Sequence, residues 1–195
     1  MSDPEALSLI ELSSIAVGTR AVDGLVKKAP IKLERVGTLQ PGKFAVLFSG
    51  DVASVEQSFE EALRIGGRAV DDQVLLPFVE PTVYRAVLGH VADWTGDTIG
   101  VIETSTLAAT LEAADTAVKG ASVRVIEIRL GDELGGKGIA HLAGEIHDVE
   151  AAIELGAVRV ARADRVVQTS ITPRFDDELR ANLERSTRFW GGESR

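Results

Sequence analysis

The chain contains one stretch twice, and this duplication limits what it can fold into. Residues 10–35 return about 92 positions later as residues 102–127. The identical pairs include Ile10 with Ile102, Glu11 with Glu103, Asp23 with Asp115, and Lys27 with Lys119. Such a period is longer than the roughly 20 to 50 residues of a solenoid repeat and has the size of a small domain. We therefore predict two copies of one fold, with the first domain at residues 1–93 and the second at 94–195. The second domain is expected to end in a helix and a loose tail at 191–195.

The hydrophobic patterning predicts the same element order in both copies. In the first copy, the strand-like runs are 7–12, 31–39, 43–49 and 70–76, and the helical patterns are 15–29, 51–65 and 80–88. The first run alternates, and Ser13-Ser14 and Asp51 are the predicted N-caps of the first two helices. In the second copy, the strand-like runs are 98–104, 123–130, 138–143 and 165–171, and the helical patterns are 107–120, 145 to about 155, and 175–189. The order β-α-β-β-α-β-α is that of the ferredoxin-like fold with an added helix. The fold class is therefore α+β, with an antiparallel sheet that carries its helices on one face.

Charge and residue usage exclude several classes of function. The 21 basic and 30 acidic residues give a formal charge of −9, which argues against nucleic-acid or membrane-surface partners because both need clustered Lys and Arg. The absence of cysteine excludes disulfides, thiolate metal sites and cysteine nucleophiles. No apolar run reaches the roughly 18 residues of a membrane span, so we expect a cytoplasmic protein.

Two short motifs resemble a phosphate-binding loop. Residues 37–43 and 131–137 both fit G-x-x-x-x-G-K, but Phe44 and Gly138 stand where a Ser or Thr would hold magnesium. A strand pattern, rather than a helix, follows each motif. Asp132 and Glu133 would also repel phosphate groups. We therefore interpret both motifs as hairpin loops of small residues.

The titratable residues show no catalytic pattern. His90, His141 and His147 lack the spacing of a zinc site, and no G-x-S-x-G elbow or Ser-His-Asp set is present. The acidic pairs at 71–72 and 176–177 fit turns and helix starts, where carboxylates complement backbone N–H groups. The sequence therefore predicts a protein that is not an enzyme.

Three motifs occur in the same order in both copies. They are an opening strand that ends in Ile-Glu, a helix with the pattern A-x-D-x-x-x-K-x-A, and a second helix that starts with Gly50-Asp51-Val52 or Gly144-Glu145-Ile146. In this order and duplication they resemble the shell proteins of bacterial microcompartments. The likeness is to the tandem-domain trimeric class (BMC-T), in its unpermuted, single-layer type as found in propanediol-utilisation compartments.

The resemblance implies an assembly and a location. Three identical chains would form a pseudohexameric tile in a microcompartment shell in the cytoplasm, with small metabolites passing a central pore. Lys27 and Lys119 match the family's edge lysine and would contact other shell proteins where tiles meet. From the residues alone, both are equally well explained as solvated lysines at helix ends.

The resemblance also implies which residues line the pore, because the family's hairpin loops converge there. The expected pore-lining residues are Leu39, Gln40, Pro41, Gly42, Asp132, Glu133, Leu134, Gly135 and Gly136. In the propanediol-utilisation relative, a cysteine at the position of Gln40 holds an iron–sulfur cluster with its symmetry mates. An amide is a poor ligand for such a cluster, so we expect no cofactor and no metal. Gln40 is expected to line or constrict the pore, unless it only completes the turn before Pro41.

Two other classes of function stay open at this point. A trimeric, ferredoxin-like protein that binds a small molecule as a sensor or regulator would need a basic or hydrogen-bonding loop cluster. An enzyme with its site at a subunit boundary would need converging titratable groups. The sequence offers neither, and it does not identify the enclosed pathway, the permeant molecules, the face that points to the lumen or any gating of the pore.

Overall fold

The first copy folds into one four-stranded sheet with three helices. The computed structural model describes residues 3–90, 92–161, 165–185 and 187–188. The strands are β1 (Ala6–Leu12), β2 (Lys32–Leu39), β3 (Lys43–Gly50) and β4 (Val70–Pro77), and the helices are α1 (Ile15–Lys28), α2 (Val52–Gly66) and α3 (Pro81–Val87). The strand order is β2-β3-β1-β4, and every neighbouring pair is antiparallel.

The second copy repeats this plan. Its strands are β5 (Thr98–Thr104), β6 (Arg124–Leu130), β7 (Gly138–Gly144) and β8 (Val166–Thr172), and its helices are α4 (Leu107–Gly120), α5 (Ile146–Ala161) and α6 (Asp177–Arg185). The strand order β6-β7-β5-β8 matches that of the first sheet. The predicted α+β fold, with the order β-α-β-β-α-β-α in each copy, is confirmed. The predicted division after residue 93 falls between α3 and β5, and its position stays a prediction.

Helix caps predicted from the sequence occur where they were expected. The Ser14 hydroxyl accepts a hydrogen bond from the Val17 N–H at 3.3 Å, and the Asp51 carboxylate accepts one from the Ser54 N–H at 2.9 Å. Each satisfies a donor that has no partner inside its helix. These caps fix where α1 and α2 begin.

Two helix ends differ from the sequence-based expectation. α5 continues to Ala161 instead of ending near Leu155, since Gly156 lies inside it at the crossing with α4. A Cβ on Gly156 would lie 2.8 Å from the Ala113 carbonyl oxygen, so glycine permits close helix packing here. The last helix spans only Asp177–Arg185. Residue 189 and the predicted tail at 191–195 lie outside the described residues.

The central strand β1 of the first sheet is buried on both faces. Its even-numbered β1 residues pack with α1 and α2, in a core that includes Ile10, Leu25 and Val55. Its odd-numbered residues pack against the second copy, in a larger core that joins Leu9 to Leu111 of α4. We call the contact between this outward sheet face and α4 the inner contact. It fastens the two copies to each other.

Candidate functional site: two adjacent hairpin loops

The β2–β3 and β6–β7 loops are shaped by residues that accept a left-handed backbone. Gly42 has a φ of 87°, and its N–H donates to the Leu39 carbonyl at 3.0 Å. The longer second loop uses four such positions, Gly131, Glu133, Gly135 and Gly136. Glycine adopts this conformation without a steric penalty, so three of these four positions are free of strain. Glu133, with a φ of 61°, is the exception.

The structure brings the two predicted loops together within one chain. A Cβ on Gly136 would lie 3.0 Å from the Gln40 carbonyl oxygen, and one on Gly131 would lie 3.6 Å from the Leu39 side chain. The loops are thus in contact, and the absence of a side chain at Gly136 permits the closer of the two approaches. Gln40, Pro41, Gly42 and Gly135 are exposed, whereas Leu39 and Leu134 are half-buried.

A groove lies between the two loops. It has a volume of about 370 Å³ and is lined by Leu39, Gln40, Asp132, Glu133 and, on β2, Arg35, together with apolar residues of β1, β3 and α4. Its exposed rim carries charged and amide groups over an apolar floor. Such a surface suits contact with water and small polar molecules at the rim.

The two loop carboxylates have different surroundings. Asp132 pairs with Arg129 at 3.4 Å and with Arg188, and Arg129 also donates to the Asp132 carbonyl at 3.0 Å. Glu133 is exposed, and no ion pair joins it to another described residue. The negative charge of Asp132 is thus offset by two nearby arginines, whereas the charge of Glu133 faces the solvent.

The two predicted edge lysines lie away from these loops, in the last turns of α1 and α4. Lys27 binds Asp23 at 2.7 Å and its side chain is 71% exposed. Lys119 binds Asp115 at 2.6 Å and its side chain is 41% exposed. Each is an i,i+4 pair, which stabilises a helix only weakly. Both ammonium groups stay accessible to a neighbouring molecule.

Sequence reasoning paired Glu11 with Glu103 but missed a role for Glu11. Its side chain is fully buried at the inner contact, where Oε1 accepts a hydrogen bond from the Ala108 N–H at 2.9 Å. Burial raises the pKa of Glu11 from its ordinary 4.5 to about 7, although the Ala108 N–H and Lys43 both act to lower it. A glutamate between Ile10 and Leu12, repeated in both copies, was the available signal.

The chemistry of the described residues offers no support for a metal or an iron–sulfur cluster. Nowhere in the described ranges do three His, Cys, Asp or Glu side chains come together as a metal site requires. Gln40 supplies an amide, and the sequence has no cysteine to provide thiolates. The two loops therefore lack the thiolate ligands that an iron–sulfur cluster needs. In the same ranges, no helix is long and apolar enough to cross a membrane.

The loop interpretation of the phosphate-binding pattern agrees with the structure. Strand β7 follows residues 131–137, and Lys137 binds Glu103 at 2.6 Å. Strand β3 follows residues 37–43, and Lys43 binds Asp71. Both lysines are held by carboxylates, so neither loop presents a free ammonium to a phosphate.

Known sequences resemble the chain over nearly its whole length. The BMC domain matches twice, at residues 6–79 and 98–175. The bacterial microcompartment shell protein PduT of Citrobacter freundii is 31% identical over 175 residues, which cover 90% of this chain and 95% of that protein. The shell protein EutM of Escherichia coli K12 is 33% identical over 84 residues, 43% of this chain and 84% of that protein.

Solved structures agree with the sequence matches. A microcompartment protein from Desulfitobacterium hafniense DCB superposes with a TM-score of 0.81 and 33% identity, over 92% of this chain and 99% of that one. A fused, permuted hexameric shell protein from the RMM microcompartment shares the fold, with a TM-score of 0.58 and 19% identity over 81% of this chain and 84% of that one. The chain therefore belongs to the BMC-domain family and is a structural shell protein of a bacterial microcompartment, built from two tandem BMC domains.

Proposed function

We propose that three copies of this chain close head to tail into a pseudohexameric tile whose central pore admits small polar metabolites. The tile joins other shell proteins at its edges and forms part of a microcompartment shell in the cytoplasm. It performs no catalysis and holds no cofactor. Its function is to enclose the compartment and to select which molecules cross the shell.

One observation carries the proposal. Each of the two surfaces that form the inner contact has an equivalent in the other copy, and within the single chain both equivalents are exposed. On α4, Leu107 is 3% exposed and Leu111 is fully buried, because the first sheet covers them. The equivalent positions on α1 are Ile15, which is 45% exposed, and Thr19, which is also exposed. We call this the α1 surface.

The matching surface lies on the second sheet. Val74 and Leu76 on β4 are each 6% exposed at the inner contact, whereas the equivalent Ser170 and Thr172 on β8 are exposed. We call the outward face of β5 and β8 the β8 surface. Since the first sheet receives the helix of the second copy, the β8 surface can receive α1 of another chain. A head-to-tail contact of this kind closes into a ring when the rotation between successive chains adds up to a full turn, as the proposed tile requires.

Ring closure accounts for the position of the loops. The two loops of one chain touch, so three chains contribute six loops around one axis. Gln40 then offers donor and acceptor groups towards the pore, and Glu133 offers an uncompensated negative charge. Exposed carboxylates favour cations and oppose multiply charged anions. We therefore propose that neutral or cationic molecules pass more readily than dicarboxylates.

The tile edges provide the experiment, which separates trimer formation from tile packing. Sedimentation velocity is expected to give a species of three chain masses, and electron microscopy is expected to show sheets. Replacing Lys27→Asp together with Lys119→Asp should preserve the trimer and abolish the sheets, since both ammonium groups are accessible in α1 and α4.

A control of equal charge change tests whether the effect is local. Arg68 and Arg124 are exposed and lie outside the two helix ends, so Arg68→Asp with Arg124→Asp should leave sheet formation intact. A stable monomer or dimer of the unmodified chain would refute the tile. Loss of the trimer in the lysine variant would show that these lysines lie inside it.

A further inference from the structure

The inner contact contains a carboxylate that caps a helix from outside its own copy. Glu11 stands near the end of β1, and its Oε1 accepts the N–H of Ala108 in the first turn of α4 at 2.9 Å. An N–H in the first turn has no acceptor inside its helix. The carboxylate therefore satisfies this donor and also complements the positive end of the α4 dipole.

Glu103 occupies the same place in the second sheet. Glu11 pairs with Ala45 and Glu103 with Ile139 in the equivalent strands, and a shift of register towards β4 or β8 follows each glutamate. Among the described residues, the Glu103 carboxylate nevertheless caps no helix. One of its oxygens binds Lys137 at 2.6 Å, and its side chain is 31% exposed.

The first turn of α1 lacks the partner that α4 has. Ser14 caps the Val17 N–H as Thr106 caps the Ala109 N–H, both at 3.3 Å, so the two helix starts are alike. Ala16, however, is exposed, whereas the equivalent Ala108 is buried under Glu11. The Ala16 N–H is thus a first-turn donor that no carboxylate within the described ranges covers.

We propose that Glu103 caps the α1 helix of the next chain by accepting the Ala16 N–H, and that this contact sets the register between chains. The inference rests on the proposed tile and names the polar contact that joins its subunits. A carboxylate has two oxygens, so Glu103 keeps Lys137 on one oxygen and accepts the N–H with the other.

A second cross-copy contact has an equivalent pair of groups as well. Asp115 on α4 accepts the Glu80 N–H at 2.9 Å, just before α3. The equivalents are Asp23 on α1 and Asp176 before α6. The two junctions correspond, since the Val79 N–H donates to the Glu5 carbonyl at 3.0 Å and the Phe175 N–H donates to the Asp97 carbonyl at 2.8 Å. When Glu103 meets Ala16, Asp23 therefore meets the Asp176 N–H of the neighbouring chain.

The test measures chain association by sedimentation across protein concentrations. Glu103→Ala should weaken association by about tenfold or more at each interface, because a hydrogen bond to a charged group is lost. Ala16→Pro should weaken it to a similar extent by removing the N–H, which has no acceptor inside the helix. The double variant should associate no worse than either single variant, because both changes remove the same contact.

Two controls distinguish capping from a general structural effect. Lys137→Met removes the ion pair but keeps the carboxylate, so it should leave association near that of the unmodified chain. Glu56→Ala removes an exposed glutamate on α2 and should have no effect. Circular dichroism checks that each variant is folded.

The outcomes separate this inference from the tile itself. A trimer that forms equally well with Glu103→Ala and with the unmodified chain would overturn the capping role and leave the tile intact. Additive losses in the double variant would overturn it as well. An unmodified chain that stays monomeric would overturn both the tile and the cap.

Discussion

The inner contact and the two surfaces that remain open are built from equivalent positions but from different chemistry. The inner contact includes Leu9, Val74, Leu76, Leu107 and Leu111, and the equivalent open positions are Val101, Ser170, Thr172, Ile15 and Thr19. Permanent interfaces are more apolar than those between partners that also exist apart. A contact formed within one chain is covered once the chain has folded, whereas in the proposed tile the open surfaces must stay soluble until chains meet. The duplication has let each contact adapt to its own requirement.

Charged residues also differ between the inner contact and the open surfaces. Beside the inner contact, Arg165, which lies just before β8, reaches Asp72, with Nε 3.4 Å from the carboxylate, and also donates to the Asp71 carbonyl at 3.2 Å. The equivalents at the open surfaces are the neutral Ala69 and Gln168. If the surfaces of the inner contact paired instead with the open surfaces of another chain, Arg165 or Asp72 would lack its ion-pair partner. The pair therefore marks the inner contact as distinct from the contact between chains.

The largest expected effect separates the two contacts by stability. Leu111→Ala should lower the free energy of unfolding by about 2 to 5 kcal/mol, because it leaves a cavity in the core that joins the copies. Thr19→Ala at the equivalent exposed position should change it by less than about 1 kcal/mol. Urea unfolding at one fixed protein concentration measures both. Equal losses of unfolding free energy in the two variants would show that the inner contact contributes no more to stability than the α1 surface.

A smaller effect concerns the pH dependence that Glu11 gives to the inner contact. The pKa of Glu11 is raised to about 7 by burial, so the folded protein keeps a proton that the unfolded chain releases near pH 4.5. Between these values the folded state binds more protons, and stability falls as the pH rises. The shift corresponds to up to about 3 kcal/mol.

Glu11→Gln should remove this dependence by keeping an acceptor for the Ala108 N–H without a titrating group. Melting temperatures at pH 5 and pH 8 are the measurement. The variant should gain stability relative to the unmodified chain at pH 8, and the gain should vanish at pH 5. Glu56→Gln, at an exposed position, is the matched control and should follow the unmodified chain at both pH values. An unchanged pH profile in Glu11→Gln would contradict the assignment.

Local sequence signals predicted the element order, the helix caps and the hairpins, because Asp51, Pro41 and Gly42 act on their own neighbourhood. They did not predict which faces are covered. β1 alternates enough to suggest a half-buried strand, yet all seven of its residues are buried. The second face of β1 is covered by α4, about 100 residues later in the sequence. A local hydrophobic pattern cannot indicate a contact with so distant a helix. Burial of Glu11 and the pairing of Asp132 with two arginines depend on the same long-range packing.

The smallest expected effect compares the two loops, since the loop of the first copy is neutral at Gln40 and that of the second carries Glu133. In shells reconstituted with the trimer, Glu133→Gln should raise the permeability of a dicarboxylate by a factor on the order of two, because three exposed charges are removed near the pore. Asp132→Asn should perturb the loop itself, since its side chain no longer forms ion pairs with Arg129 and Arg188. Glu56→Gln changes the net charge of the chain equally but lies on α2, away from both loops, and should leave the permeability unchanged.

A high-salt measurement sharpens the result, as screening should shrink the difference in dicarboxylate permeability between Glu133→Gln and the unmodified chain. Equal dicarboxylate entry in Glu133→Gln and the unmodified chain at low salt would place Glu133 away from the permeation path.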